Sequence, residues 1–162
     1  MILPGLLALA LCTGCDVISQ KAEALFADNA SGAPPAESYE FASRSIDAGA
    51  VAPQLRKLFA VDRVRNALTH GDTLLQQYRA RDFRPYWISE TQFPTRVLHI
   101  LRYFMHAGNH GLHPDWYHAS ALQRLLDRVL TGETENQAET LAEIDLLLSD
   151  GLLSYASHVR YG

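Results

Sequence analysis

Leu122, Leu125, Leu126, Val129 and Leu130 recur at i, i+3, i+4, i+7 and i+8. One face of an α-helix gathers residues with that spacing, whereas a strand would split them between its two sides. The same period returns in Val97, Leu98, Leu101, Phe104 and Met105, and again in Leu141, Ile144, Leu148, Leu152, Tyr155 and Val159. Upstream, Leu55, Leu58 and Phe59 begin a run that continues through Val64, Leu68, Leu74, Leu75 and Tyr78, and Gly71 is expected to break it into two short helices. Pro94 suits a first helical turn, Gly111 a C-terminal cap, and Thr131-Gly132-Glu133-Thr134 a break before a long last helix. Strand-like alternation is confined to Phe83–Ile88, where Pro85 pushes Arg84 out of the helical region. The pattern therefore predicts an all-α fold: an irregular helical domain over residues 47–162, with one short extended aromatic segment.

The N-terminal part has a different composition. Residues 1–15 carry no charged side chain, and the apolar run Ile2–Leu11 is shorter than the roughly 20 residues that span a bilayer. Its length suits the core of a signal peptide. The ending Thr13-Gly14-Cys15 resembles a bacterial lipoprotein signal, although Cys12 stands where such signals carry leucine and no basic residue precedes the run. That resemblance implies lipidation of Cys15 and, with Asp16 next to it, anchoring to the inner membrane on the periplasmic side of the cell envelope. A plain secretory signal is the alternative. Residues 16–46 read as a flexible linker, because the small, polar, proline-rich stretch Asn29–Ser38 has too little apolar area to offset the entropy of ordering.

Several kinds of chemistry are excluded or left without support. Cys12 and Cys15 are the only cysteines, so the body of the chain has neither a disulfide framework nor a thiolate nucleophile. Fourteen basic against 18 acidic residues, a net charge of −4, is the wrong balance for a nucleic-acid surface. There is no glycine-rich phosphate loop, no GxSxG and no SxxK, and no cofactor is implied. His106 and His110, four apart, would share a helix face and could bind a metal with His113 or His118 nearby. No HExxH completes such a site, and histidines near a helix C-terminus are explained by the free carbonyls there, so no metal is expected. Glu133, Glu135, Glu139, Glu143 and Asp145 read as solvated helix faces and caps. Trp87, Trp116 and Tyr117, with Phe83, Pro85 and Tyr86, form two aromatic clusters that serve either as sugar-binding surfaces or as core packing.

A set of short elements points to a family. Tyr78, then Phe83-x-Pro85-x-Trp87, then Ala107-x-x-His110-Gly111-Leu112-x-Pro114-x-x-Tyr117, then Leu146-Leu147-Leu148-Ser149-Asp150, Tyr155 and His158 follow one another in order. Together they resemble the N-terminal helical scaffold of large murein L,D-transpeptidases. In that family the scaffold precedes a small peptidoglycan-binding domain and a catalytic domain that forms 3→3 cross-links in the cell wall. The family's Ser-His-Gly-Cys stretch has no counterpart here: His70-Gly71 and His110-Gly111 are the only His-Gly pairs, and neither leads to a cysteine. The resemblance thus implies a non-catalytic scaffold with the catalytic domain absent, whose partners would be the downstream catalytic and peptidoglycan-binding domains, or peptidoglycan itself. The alternative is a free-standing helical module of the envelope that grips peptidoglycan or a partner protein through an apolar groove.

The packing role of the aromatics can be tested on Trp87. Truncating a buried aromatic typically costs about 3–5 kcal/mol, out of the roughly 5–15 kcal/mol that holds a domain together. Trp87→Ala should therefore sharply reduce helical circular dichroism at room temperature. A variant that melts like the parent would reject the core assignment and favour an exposed binding face.

Overall fold

The computed structural model describes Ile18, residues 46–89, Phe93 and residues 95–161. Among the described residues from 46 onwards, six α-helices follow one another: α1 Val51–Ala60, α2 Asp62–Ala67, α3 Gly71–Ala80, α4 Thr95–Met105, α5 Ala119–Thr131 and α6 Gln137–Tyr161. Three single 3-10 turns, Ala48–Ala50, Ala107–His110 and Pro114–Tyr117, link or precede them. No strand forms among the described residues, so the all-α expectation holds. The expected signal segment and Cys15 lie outside the described residues. Of the expected linker over residues 16–46, only Ile18 and Ile46 are described, and both are buried in the core. No described helix is long and apolar enough to cross a membrane.

The helix ends follow local chemistry. Asp47 accepts hydrogen bonds from the backbone N–H groups of Gly49 and Ala50 at 2.9 and 3.2 Å. Asn136 opens α6: its side-chain oxygen accepts from the N–H of Glu139 at 3.2 Å, and its amide donates back to the Glu139 carboxylate at 3.0 Å. The pair satisfies an N–H that the helix itself leaves without a partner. Gly132, at φ 75°, closes α5 in the left-handed region, as the break at Thr131–Thr134 required.

Helix α6 is the centre of the domain. It packs against α1, α3, α4, α5 and the Pro114–Tyr117 turn. The sequence showed a single apolar stripe, but burial runs unbroken from Ile144 to Ala156 apart from half-buried Leu147. Asp145, Ser149, Asp150 and Ser154 are buried within that run, whereas Val159, on the expected stripe, is exposed. The reading of Asp145 as a solvated residue is therefore corrected. The face of α4 also shifts: Ile100 is buried, and Met105, at the helix end, is exposed. The break expected at Gly71 falls instead at Leu68–His70, and Gly71 is the first residue of α3. A Cβ there would lie 2.1 Å from the carbonyl oxygen of Arg65, so only glycine lets α3 begin so close to α2.

Gly151 gives α6 a similar close approach. A Cβ at that position would lie 2.7 Å from the Tyr117 carbonyl oxygen and 2.8 Å from Phe104 Cε2. Helix propensity alone would make Gly151→Ala stabilising by about 0.8–1 kcal/mol. Overpacking against a backbone carbonyl typically costs about 1–3 kcal/mol, so a net loss is expected. Urea denaturation of the two proteins decides: a more stable alanine variant would mean that α6 does not seat against the Pro114–Tyr117 turn as described.

Candidate functional site

Two buried carboxylates of α6 organise the aromatic segment and the interhelical turns. Asp145 is enclosed by donors from the segment that follows α3. Its Oδ1 accepts from the Tyr78 hydroxyl at 2.6 Å and the Tyr86 N–H at 3.0 Å. Its Oδ2 accepts from the N–H groups of Trp87 and Ile88 at 2.7 and 3.2 Å. Ser149, one turn on, accepts from the indole N–H of Trp87 at 3.0 Å and donates to the Asp145 carbonyl at 2.8 Å. Burial raises the Asp145 pKa, while the Tyr78 hydroxyl and the three N–H groups oppose that rise. Burial, and then the Asp145 charge, hold Tyr78 well above its usual value, so it remains a neutral donor.

The expected extended segment is thus a turn followed by a short coil pinned to a side chain. The turn comes from Asp82 and Phe83, which adopt left-handed φ values of 56° and 58°. The Phe83 N–H reaches the Tyr78 carbonyl at 2.7 Å, and the Arg56 guanidinium lies 5.1 Å from the Phe83 ring centre while pairing with Asp82 at 2.6 Å.

Asp150 is equally buried and joins three elements. Its Oδ1 accepts from the His70 N–H at 2.7 Å, and its Oδ2 from the Thr69 N–H at 3.2 Å and from His118 Nε2 at 2.8 Å. His118 sits between the Pro114–Tyr117 turn and α5 at a left-handed φ of 60°. Its bond to Asp150 and the turn geometry hold it in a conformation that non-glycine residues seldom adopt. Burial pushes the Asp150 pKa up, but the His118 bond and the two backbone N–H groups outweigh it and leave the pKa below its ordinary value.

His118 also lines a groove of about 370 Å³. Leu58, Val64, Ala67, Leu68, Leu146 and Leu147 supply its apolar lining, and Arg63 and Glu143 its charges. A carboxylate-oriented imidazole is two thirds of a nucleophile-activating triad. Among the described residues that line the groove there is no serine, threonine or cysteine.

The remaining histidines do not converge with it. His106 and His110 are exposed, and the chain tightens into a 3-10 turn from Ala107, so the shared α-helical face does not form. Among the described residues no group of three or more His, Cys, Asp or Glu side chains could hold a metal ion. The aromatic candidates separate. Trp87 and Tyr117 are buried, whereas Trp116 is 56% exposed. Trp116 lies between two imidazoles, with ring centres 6.2 Å from His113 and 5.9 Å from His158. Tyr117 is edge-on to Tyr155 at 5.1 Å and hydrogen-bonds His158 Nδ1 at 2.8 Å.

Periodicity missed the two carboxylates because each sits beside residues of the apolar stripe. A signal was present: Asp145, Ser149 and Asp150 interrupt an otherwise apolar stretch from Ile144 to Leu153, the mark of a helix buried on all sides.

The fold and site define a helical module in which buried polar groups fasten loops to a central helix. Residues 72–162 match the family described as Scaffold domain, and the chain belongs to that family. No curated protein matches the chain, and no solved structure matches it.

The Asp150 cluster has a pH signature. An unfolded aspartate titrates near about 3.9. Because the folded pKa is lower, the stabilisation is fully present above that value and is lost as pH falls through the folded pKa. Asp150→Asn should cost about 2–4 kcal/mol at neutral pH, through lost charge-assisted bonds to His118, His70 and Thr69. It should also flatten the acid limb of the stability curve. Asp145, whose raised pKa acts in the opposite sense, is common to both proteins and cancels. Parallel acid limbs in parent and variant would show that Asp150 is not the titrating group.

Proposed function

We propose that this chain is the non-catalytic scaffold part of a periplasmic L,D-transpeptidase, serving peptidoglycan cross-linking by packing against and positioning a catalytic domain. The observation that carries the reading is a coincidence of residues. The Scaffold domain match over residues 72–162 contains every short element that resembles the transpeptidase scaffold. Several residues of those elements are also bonded: Tyr78, Trp87 and Ser149 around Asp145, and Tyr117 and His158 beside Tyr155. Their hydrogen-bonding capacity goes into holding the helices together, which suits a positioning role better than turnover. In this reading the mature chain is held to the inner membrane through lipid on Cys15, and the mass of the mature N-terminus checks that anchor.

The full chain should show no transpeptidase or carboxypeptidase turnover on muropeptides, with or without zinc. Zinc-dependent turnover that disappears in His106→Ala or His110→Ala would overturn the non-catalytic assignment. The link to the transpeptidases is tested at the locus. An in-frame or neighbouring coding stretch for Ser-His-Gly-Cys is expected, and a locus without one rejects the link in favour of a free-standing envelope module.

A further inference from the structure

We propose that the corner of the molecule built by Arg56, Arg79, Arg81 and Arg84 docks on a membrane surface of anionic phospholipid. Asp82 and Phe83 make the corner, since their left-handed φ values of 56° and 58° turn the chain sharply after α3. The arginines are tied to that turn. Arg56 of α1 pairs with Asp82 at 2.6 Å and lies over the Phe83 ring. Arg81 lies 3.7 Å from the centre of the Tyr86 ring and donates to the Pro85 carbonyl at 3.3 Å. Arg84 Nε donates to the Arg81 carbonyl at 3.1 Å, which leaves its two terminal nitrogens for another acceptor. Arg79 joins them through its own carbonyl, which accepts the Asp82 N–H at 3.1 Å.

Arg56, Arg79 and Arg84 are exposed, and no described carboxylate pairs with Arg79 or Arg84. Like charges gathered this way repel, and an anionic partner relieves the repulsion. Guanidinium forks fit the paired oxygens of a phosphate. Two observations select a lipid surface among phosphate-bearing partners. The Arg56 side chain is 59% exposed and that of Asp82 86%, so the corner is open and fits a broad charged surface better than one small anion held in a cleft. Ile18 is fully buried in the core and lies three residues after Cys15. Three residues reach at most about 11 Å, so lipid on Cys15 would hold the domain itself close to the headgroups. That reach is comparable with the screening length of about 8 Å, within which basic side chains feel a charged membrane. A long nucleic acid fits less well, because the chain as a whole carries a net charge of −4. The choice of a lipid rests on the Cys15 anchor of the reading above; the arginine corner does not.

The test is co-sedimentation of the full chain carrying Cys15→Ser, which removes any anchor, with phosphatidylcholine vesicles that contain or lack phosphatidylglycerol. Binding is expected only to vesicles with phosphatidylglycerol, and it should weaken as salt rises. Arg79→Gln with Arg84→Gln should weaken it about thirtyfold, the equivalent of about 2 kcal/mol for two arginines at an anionic surface. Arg96→Gln with Arg102→Gln removes the same charge from exposed positions of α4 and should leave binding far tighter than that. Circular dichroism of both double variants should match the parent, because all four side chains are exposed. The proposal is overturned if the two vesicle types bind equally, if neither does, or if the α4 variant loses as much as the corner variant. Release by inorganic phosphate at matched ionic strength would reassign the corner to a small anion. Capture by immobilised polyglutamate without capture by vesicles would reassign it to an acidic protein. The mass of the mature N-terminus tests the anchor separately: an unmodified Cys15 with intact vesicle binding rejects the anchor and keeps the docking corner.

Discussion

A single carboxylate lets this all-helical domain contain a non-helical segment. Backbone N–H groups removed from water need partners, and in most folds a helix or sheet provides them. Tyr86, Trp87 and Ile88 have neither. Asp145 takes all three N–H groups on its two oxygens, as a neighbouring strand would, and uses its remaining capacity on the Tyr78 hydroxyl. Isolating an ion in a protein interior costs several kcal/mol unless hydrogen bonds replace its water. Here the replacement is made by neutral donors from one short stretch of chain. The position of Trp87, the packing of Tyr86 edge-on to Tyr78 at 5.1 Å and the line of the chain towards α4 all depend on that arrangement.

Asp150 repeats the device five residues along the same helix, with a different result. It fastens the turn between α2 and α3 through Thr69 and His70, and the entrance to α5 through His118. Because one of its donors is an imidazole, this junction combines a buried charge with a titratable partner at the edge of a groove. The same residue types in an enzyme would suggest acid–base chemistry. Here the dyad clamps together elements far apart in sequence.

The helices were legible because their signal is local. Five apolar positions at helical spacing were enough to place α5, and Gly132 ended it where the chain said it would. The break before α3 was misplaced by a few residues, because Gly71 answers to the Arg65 carbonyl pressed against it and not to a turn. The site was legible only in part. His118 and Trp116 stood out by type, but nothing local tells that His118 meets a residue 32 positions away. Asp145 was hidden by the habit of reading acidic residues as solvent-facing, which fails when a helix is enclosed on every side. The aromatic pair Trp116-Tyr117 shows the same limit: neighbours in sequence, one ring lies in the core and the other in solvent.

The central position of α6 also bears on the order in which the molecule can be made. The helix on which the others lean is the last of the six described to leave the ribosome, and its polar partners lie 32 to 81 residues earlier. At about 5–20 residues per second, the upstream helices wait for seconds with their apolar faces unclaimed. During that interval the upstream helices lack the helix they share, and the aromatic segment has no carboxylate to fasten it. Residues 137–161 thus complete the packing and the fastening of that segment together.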